Sequence, residues 1–201
     1  CSSYTIGYDA CDSIVLLKVH EADWAKILKV KLGRGEEEDK RMIRLIRSLT
    51  DKPIYVDANQ GWPTKEHALM MCQWLAEQGV VMIEQPMPKH MNEEHAWLCE
   101  QVNLPILADE ACQTYDDVEK LAPYYDGINI KLMKCGGVAE ARKMIALARE
   151  LGMQVMIGCM TETRAGISAA TILSPLVDYA DLDGHVLIAN DPYDGIQIVD
   201  G

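Results

Sequence analysis

The stretch Ile27–Gly33, "ILKVKLG", decides the fold. It has the apolar character of a buried strand, yet it carries two lysines, a residue rarely buried without a partner. Strand side chains alternate between faces, so Leu28, Val30 and Leu32 share one side and Lys29 and Lys31 the other. The apolar side suits a layer of helices, which leaves both lysines pointing inward. "GINIKLM" (Gly127–Met133) repeats the pattern, with Ile128, Ile130 and Leu132 outward and Asn129 and Lys131 inward. In "ADLDG" (Ala180–Gly184), Leu182 faces outward between Asp181 and Asp183.

Outward from that stretch the chain keeps one rhythm. The strand candidates are "SYTIGY", "ILKVKLG", "PIYVDAN", "VVMIEQP", "PILADEA", "GINIKLM", "QVMIGCM" and "YADLDGHV". Between them lie helical patterns such as "EEEDKRMIRLIRSL" and "AEARKMIALARELG", several opened by Thr, Ser or Asp and closed by Gly. Alternating strands and helices make parallel βαβ units. Eight such strands in 201 residues are the length of a minimal (β/α)8 TIM-type barrel. An open doubly wound sheet is the rival, but no GxGxxG follows the first strand. The expected division is a catalytic barrel over residues 1–188 and a tail over 189–201 that leaves it.

A net charge of −12 argues against a nucleic-acid partner, since phosphate binding needs clustered Lys and Arg. No apolar run reaches the roughly 18–20 residues of a membrane span. The seven cysteines are scattered, with no CxxC or Cys/His zinc spacing, and read as free thiols of a cytoplasmic protein. The chain opens at Cys1 without an initiator Met, as a fragment would.

The unusual residues collect at the strand ends: Lys31, Asp57, Glu84, Asp109, Lys131, Asp181 and Asp183, about one βα unit apart until the last pair. In a barrel these ends surround one mouth, where catalytic residues of the fold sit. Asp57, Glu84 and Asp109 form an all-oxygen set of the kind that hard Mg²⁺ prefers. Without a cation, three converging carboxylates repel and raise their own pKa values. Lys31 and Lys131 lie on the second and sixth strands, opposite each other in an eight-stranded barrel. An amine near a divalent cation and a second amine titrates below its free value of about 10.4, which makes it usable as a base. Two bases on opposite faces of one carbon remove a proton from one side and return it to the other. A metal on the adjacent carboxylate stabilises the enediolate between the steps. That is racemisation or epimerisation.

At these residues the sequence resembles the enolase superfamily, muconate-lactonizing-enzyme subgroup, through "KVK", "VDANQGW", "IEQP", "LADEA" and "NIKLMKCGG" in family order and spacing. The resemblance implies one Mg²⁺ per site on Asp57, Glu84 and Asp109, acid/base roles for Lys31 and Lys131, and Lys29 touching the substrate carboxylate or tuning Lys31. It implies Asn59 as a neighbour of the metal ligands. "DLDG" looks like the DxD motif of the dipeptide epimerases, whose aspartates bind the substrate ammonium; Asp181 and Asp183 match it. "GCMTET" resembles the pocket-lining turn, adding Cys159, Met160 and, more weakly, Glu162. The implied partner is a small dipeptide, and the resemblance allows a homo-oligomer. N-acylamino acid racemase, o-succinylbenzoate synthase and a catalytically silent truncated barrel stay open as alternatives, with a Schiff-base aldolase on Lys131 a distant fourth. Full-length members carry an N-terminal α+β capping domain, which nothing before Ser2 supplies, so the expectation is the barrel portion alone. Outside this set, Trp62 is expected to edge the mouth, His185 to line the pocket, and "GEEEDKR" to be a solvated helix start.

Overall fold

The computed structural model describes residues 1–199. Its strands are β1 (Ser3–Ile6), β2 (Ile27–Lys31), β3 (Ile54–Asp57), β4 (Val80–Glu84), β5 (Ile106–Ala108), β6 (Gly127–Lys131), β7 (Gln154–Gly158) and β8 (Tyr179–Ala180). All pair in parallel with their sequence neighbours, in the order β1 to β8. Around them run α1 (Asp12–Glu21), α2 (Glu36–Arg47), α3 (Lys65–Glu77), α4 (Asn92–Gln101), α5 (Tyr115–Leu121), α6 (Leu132–Cys135), α7 (Val138–Glu150) and α8 (Arg164–Thr171). This is the expected (β/α)8 barrel.

The alternation read in "ILKVKLG" holds. Leu28 and Val30 are buried in the layer between strands and helices, while Lys29 points inward and is 1% exposed. Register carries the pattern across the sheet: Lys31 lies beside Asp57, and Asp57 beside Glu84. An irregularity at the start of the β3–β4 pairing is needed for this. Ile54 pairs with Val80 but Tyr55 with Met82, so Val81 is an inserted, exposed residue. The bulge keeps Met82 and Glu84 both facing inward.

The barrel interior is stacked in layers. Tyr55, Met82, Leu107 and Met156 form an apolar floor, with Ile27 and Tyr179 packed against it. Tyr55 meets Tyr179 edge to face at 5.5 Å. Above the floor the interior turns polar, and that second layer is the mouth. The floor removes water from below, so charges in the layer above interact at a lower effective dielectric than on a surface.

The helices follow ordinary rules. In α2, Met42, Ile43 and Ile46 are buried, acids fill the first turn and Arg44 and Arg47 the last. Thr64 caps α3 by accepting the His67 N–H at 3.2 Å. Gly33 has φ +86°, and a Cβ there would stand 2.2 Å from the Ala58 carbonyl oxygen. Only glycine lets the loops after β2 and β3 approach this closely.

Three expectations need correction. Trp62 does not edge the mouth; it is fully buried and donates its indole N–H to Asp39 at 3.0 Å. Asp39 in turn accepts the N–H groups of Gly33 and Arg34, so "GEEEDKR" contains a buried anchor within its solvated turn. The tail does not depart from the barrel either. Asp191 accepts the Arg164 N–H at 2.6 Å, and the Ile196 N–H reaches Ser168 Oγ, which lays residues 189–199 along α8. The last two residues of the expected tail lie outside the described residues.

β8 has two residues and no ladder to β1 among the described residues. Side chains close this seam instead. Ser3 Oγ donates to Asp181 Oδ1 at 2.7 Å, the Thr5 N–H to Asp183 Oδ2 at 2.6 Å, and the Leu182 N–H to Ser2 Oγ at 2.8 Å. Asp181 and Asp183 therefore lie just past the strand that the sequence assigned them to.

Candidate active site

Five strand ends and the segment after β8 deliver one cluster of charge. One oxygen from each of Asp57, Glu84 and Asp109 lies within 4.8 Å of the others, and all three residues are buried. Four lysines stand among them. Lys29 Nζ lies 2.6 Å from Glu84 Oε2, 2.8 Å from Asp181 Oδ2 and 3.4 Å from Asp57 Oδ2. Lys31 Nζ is 2.6 Å from Asp57 Oδ2, and Lys131 Nζ is 2.6 Å from Asp109 Oδ2. Lys134 holds Asp109 Oδ1 and the Asp109 carbonyl, each at 2.7 Å.

Uncharged groups orient the acids. Asn129 donates to Glu84 Oε1 at 2.7 Å. It fits because residue 158 is glycine; a Cβ there would meet Asn129 Oδ1 at 2.4 Å. The Asn59 N–H donates to Asp57 Oδ1 at 2.9 Å, with Asn59 at φ +46°. The remaining Glu84 oxygen, Oε2, has the Lys29 ammonium beside it but no donor aligned on it. A buried, charged oxygen without an aligned donor, next to two more carboxylates, is a donor set that fits a hard cation such as Mg²⁺.

The electrostatics agree. Burial and the neighbouring Asp57 push Glu84 up to about 8, although Lys29 opposes them. Burial also acts on Asp109, but Lys134 and Lys131 outweigh it and hold that carboxyl below its usual range. At the seam, burial and Asp181 push Asp183 up to about 6. Asp181 is pulled down despite its burial, because Lys29 neutralises it. One expectation changes sign. Burial pulls Lys131 down, yet Asp109 and Glu84 more than offset it, so the amine sits above its ordinary value. Lys29, likewise buried, is held well above its ordinary value by Asp181, Glu84 and Asp57. The expected lowering presupposes positive charge in the triad, which these acids alone do not supply.

The mouth is a cavity of about 480 Å³. Its walls include Lys29, Lys31, Asn59, Asp109, Lys131, Cys159, Met160, Asp181 and Asp183. Asp57 and Glu84 lie beneath, reached through their lysine partners. Cys159 is half-buried, its thiol pushed up to about 12 by burial, and Met160 is exposed at the rim. Glu162 turns back to accept the Met160 N–H. His185 faces elsewhere, lining a separate groove under residues 196–199.

Two supports escaped the sequence reading. Lys134 follows Lys131 by three residues, a spacing that returns it to the same side of the α6 turn. Gln85 follows Glu84 and is fully buried at φ +37°. Its Oε1 accepts the N–H groups of Asp109 and Ala111 at 3.0 and 3.1 Å, and its Nε2 donates to Met87 O and Tyr125 Oη. It thereby ties the end of β4 to the end of β5. Gln85→Leu leaves the buried Asp109 N–H and the part-buried Ala111 N–H without an acceptor and should lower unfolding free energy by about 2–4 kcal/mol in urea titration. A loss below about 0.5 kcal/mol contradicts this role.

A model of the enolase C-terminal domain-like family matches residues 16–201. The chain belongs to that family. Among curated members, the L-Ala-D/L-Glu epimerase of Bacteroides thetaiotaomicron is 55% identical over 201 residues, covering 100% of this chain and 52% of that protein. The L-Ala-D/L-amino acid epimerase of Pedosphaera parvula is 42% identical, covering 100% of this chain and 58% of that protein. Among solved structures, the dipeptide epimerase of Enterococcus faecalis complexed with Mg and L-Leu-L-Tyr superposes with a TM-score of 0.91 at 35% identity. That match covers 98% of this chain and 58% of the other. The chain thus spans a little over half the length of these relatives.

Proposed function

We propose that the protein carrying this chain is a Mg²⁺-dependent dipeptide epimerase that inverts the Cα of the carboxyl-terminal residue by two-base 1,1-proton transfer. One observation carries the proposal. Two lysines, on β2 and β6 and thus four strands apart in an eight-stranded barrel, each pair with a different carboxylate of one buried triad.

The residues divide the work as follows. Asp57, Glu84 and Asp109 hold the cation. When bound, it supplies positive charge opposite the negative charge that develops on the substrate carboxylate. Lys31 and Lys131 exchange the α-proton from opposite faces. Asp57 and Asp109 are both the ion-pair partners of these amines and the metal ligands, so their oxygens cannot serve both partners at full strength. Lys29 stays between Asp181 and the triad as a fixed counter-charge rather than a base, because three carboxylates surround it.

The ammonium site is narrower than the DxD motif suggests. Both Asp181 oxygens are engaged, by Ser3 and Lys29, whereas Asp183 commits Oδ2 to Thr5. Asp183 Oδ1 is the oxygen left for a substrate ammonium, with Asp181 supporting it. Cys159 and Met160 form the wall beside it. Residues 1–188 are read as the catalytic barrel and 189–201 as its tail. Seven free thiols support a reducing, cytoplasmic setting, and among the described residues no helix is long and apolar enough to cross a membrane.

The relatives' names cover L-Ala-D/L-Glu, L-Ala-D/L-amino acid and hydrophobic dipeptide epimerases, so kinship alone leaves the dipeptide side chain open. The test is proton NMR in D₂O, with the full-length protein, Mg²⁺ and a panel of L-Ala-L-Xaa dipeptides. Loss of the α-proton signal together with inversion at that carbon is expected. No exchange with any member of the panel, or an elimination product, sinks the proposal.

A further inference from the structure

Each carboxylate of the triad divides its two oxygens between two sets of partners. Asp57 Oδ1 accepts the Asn59 N–H at 2.9 Å, and Glu84 Oε1 accepts from the Asn129 amide at 2.7 Å. Asp109 Oδ1 is held by Lys134 at 2.7 Å. The second oxygens, Asp57 Oδ2, Glu84 Oε2 and Asp109 Oδ2, face the inward lysines Lys31, Lys29 and Lys131, each at 2.6 Å. The first set ties the carboxylates back, and the second set is the one left for a cation. Lys134 is the charged member of the first set.

Lys134 lies in α6, the single turn that follows β6, and its side chain is 6% exposed. Its ammonium reaches Asp109 Oδ1 and the Asp109 carbonyl at 2.7 Å each and the Asn129 carbonyl at 3.2 Å. An ammonium has three N–H donors, so these three acceptors commit all of them and leave none for a substrate. Its effect falls on Lys131 instead. The two amines rise from neighbouring turns of backbone, three residues apart, and share one carboxylate. With Oδ1 taken, Lys131 is confined to Oδ2. With Oδ1 vacant, a small shift would keep Lys131 on Asp109 even after Oδ2 had been given up.

We propose that Lys134 is a positioning residue for the base Lys131. By occupying Asp109 Oδ1 it denies Lys131 a second hold on that carboxylate, so that an amine displaced from Oδ2 turns to the substrate. The inference rests on the two-base reading and adds a cause for the release of one base. The β2 side has its equivalent in a backbone group, since the Asn59 N–H occupies Asp57 Oδ1 beside Lys31. A side chain can be substituted where an N–H cannot, so the β6 side carries the test. The competing role is orientation of Asp109 for the cation alone, which would serve both bases alike.

The probes are the L,L and L,D forms of Ala-Glu, Ala-Leu and Ala-Lys in D₂O, with full-length protein and Mg²⁺, using the pair that the parent epimerises fastest. Lys134→Met should slow α-proton exchange of one epimer about 10- to 100-fold, the range of one charge-assisted hydrogen bond. That epimer should be the one that Lys131→Met fails to exchange, while the other changes less than about 3-fold. Mn²⁺ affinity, read by calorimetry, should be no weaker than the parent's, because the variant removes a positive charge beside the site. Lys134→Gln, shorter and uncharged, should show the same asymmetry at smaller size, and it carries the test where circular dichroism finds the Met variant unfolded. Equal slowing of both epimers, no slowing of either, or Mn²⁺ binding weakened about 10-fold or more overturns the role of Lys134 and leaves the epimerase standing. A parent that exchanges neither epimer of any of the three dipeptides overturns both.

Discussion

Lys31→Met and Lys131→Met should each reduce epimerisation by about 10²- to 10⁴-fold, the range of a lost general acid or base. The informative result is an asymmetry between them. Each variant keeps one amine, on one face of the carbon. Each should therefore still exchange the α-proton of one epimer of the dipeptide in D₂O without inverting it, and the two variants should prefer opposite epimers. Mass spectrometry of recovered L,L and L,D substrate reads this directly. Both lysines are ion-paired in the mouth and neither packs in the apolar core, so the folded state should survive, as checked by circular dichroism. Two variants that exchange the same epimer, or one variant that retains full epimerisation, contradict a two-base mechanism.

The second large effect concerns the triad and has a definite sign with pH. Glu84 sits at about 8 in the folded protein against an ordinary 4.5, through burial and Asp57. The native state thus holds this proton more tightly than the unfolded chain. Below pH 4.5 both states are protonated and there is no effect. Between about 4.5 and 8, folding stability falls as pH rises, and above 8 the loss is complete. Asp183, raised from 3.8 to about 6 by burial and Asp181, adds a smaller fall of the same sign over its own range. In EDTA at pH 8.5, Glu84→Gln should raise unfolding free energy on the order of 2 kcal/mol, since it removes the ionisation. Mg²⁺ should stabilise the parent by about 2.7 kcal/mol at 100 times its Kd and give the variant much less. A variant less stable than the parent at pH 8.5 contradicts the raised Glu84, and equal stabilisation of both by Mg²⁺ refutes the carboxylate triad as the cation site.

The legible part of this molecule was whatever strand alternation could report. "ILKVKLG" placed Lys29 and Lys31 inside because the period of a strand is two residues, and the same parity placed Asn129 and Lys131 inside. Parity says nothing about height, however. Lys29 and Lys31 share a face, yet one is locked among three carboxylates and the other reaches the cavity with a third of its side chain exposed. That two-residue rise separates an amine enclosed by carboxylates from one that opens on the cavity. The supports were less legible because their partners are distant in sequence or set by unusual backbone. Gln85 acts at Asp109 and Ala111 through a positive φ that no propensity signals. Asp39 lay hidden in an acidic run that elsewhere is solvated, and what distinguishes it is Trp62. The seam was invisible for the same reason: Asp181 and Asp183 look like mouth residues, and they are, but they also replace the missing β8–β1 ladder through Ser3 and Thr5. Residues that close a barrel and line its mouth at once carry one sequence signal for two positions.

The central claim is that one cation site lies between two opposed bases, and its most direct measurement is a crystal structure with Mn²⁺, a close analogue of Mg²⁺ that scatters anomalously. One anomalous peak is expected, coordinated by Asp57, Glu84 and Asp109. Lys31 Nζ and Lys131 Nζ should have withdrawn from Asp57 Oδ2 and Asp109 Oδ2, where each now stands 2.6 Å away. A peak elsewhere, or a peak at the triad with both amines still in place, would contradict it.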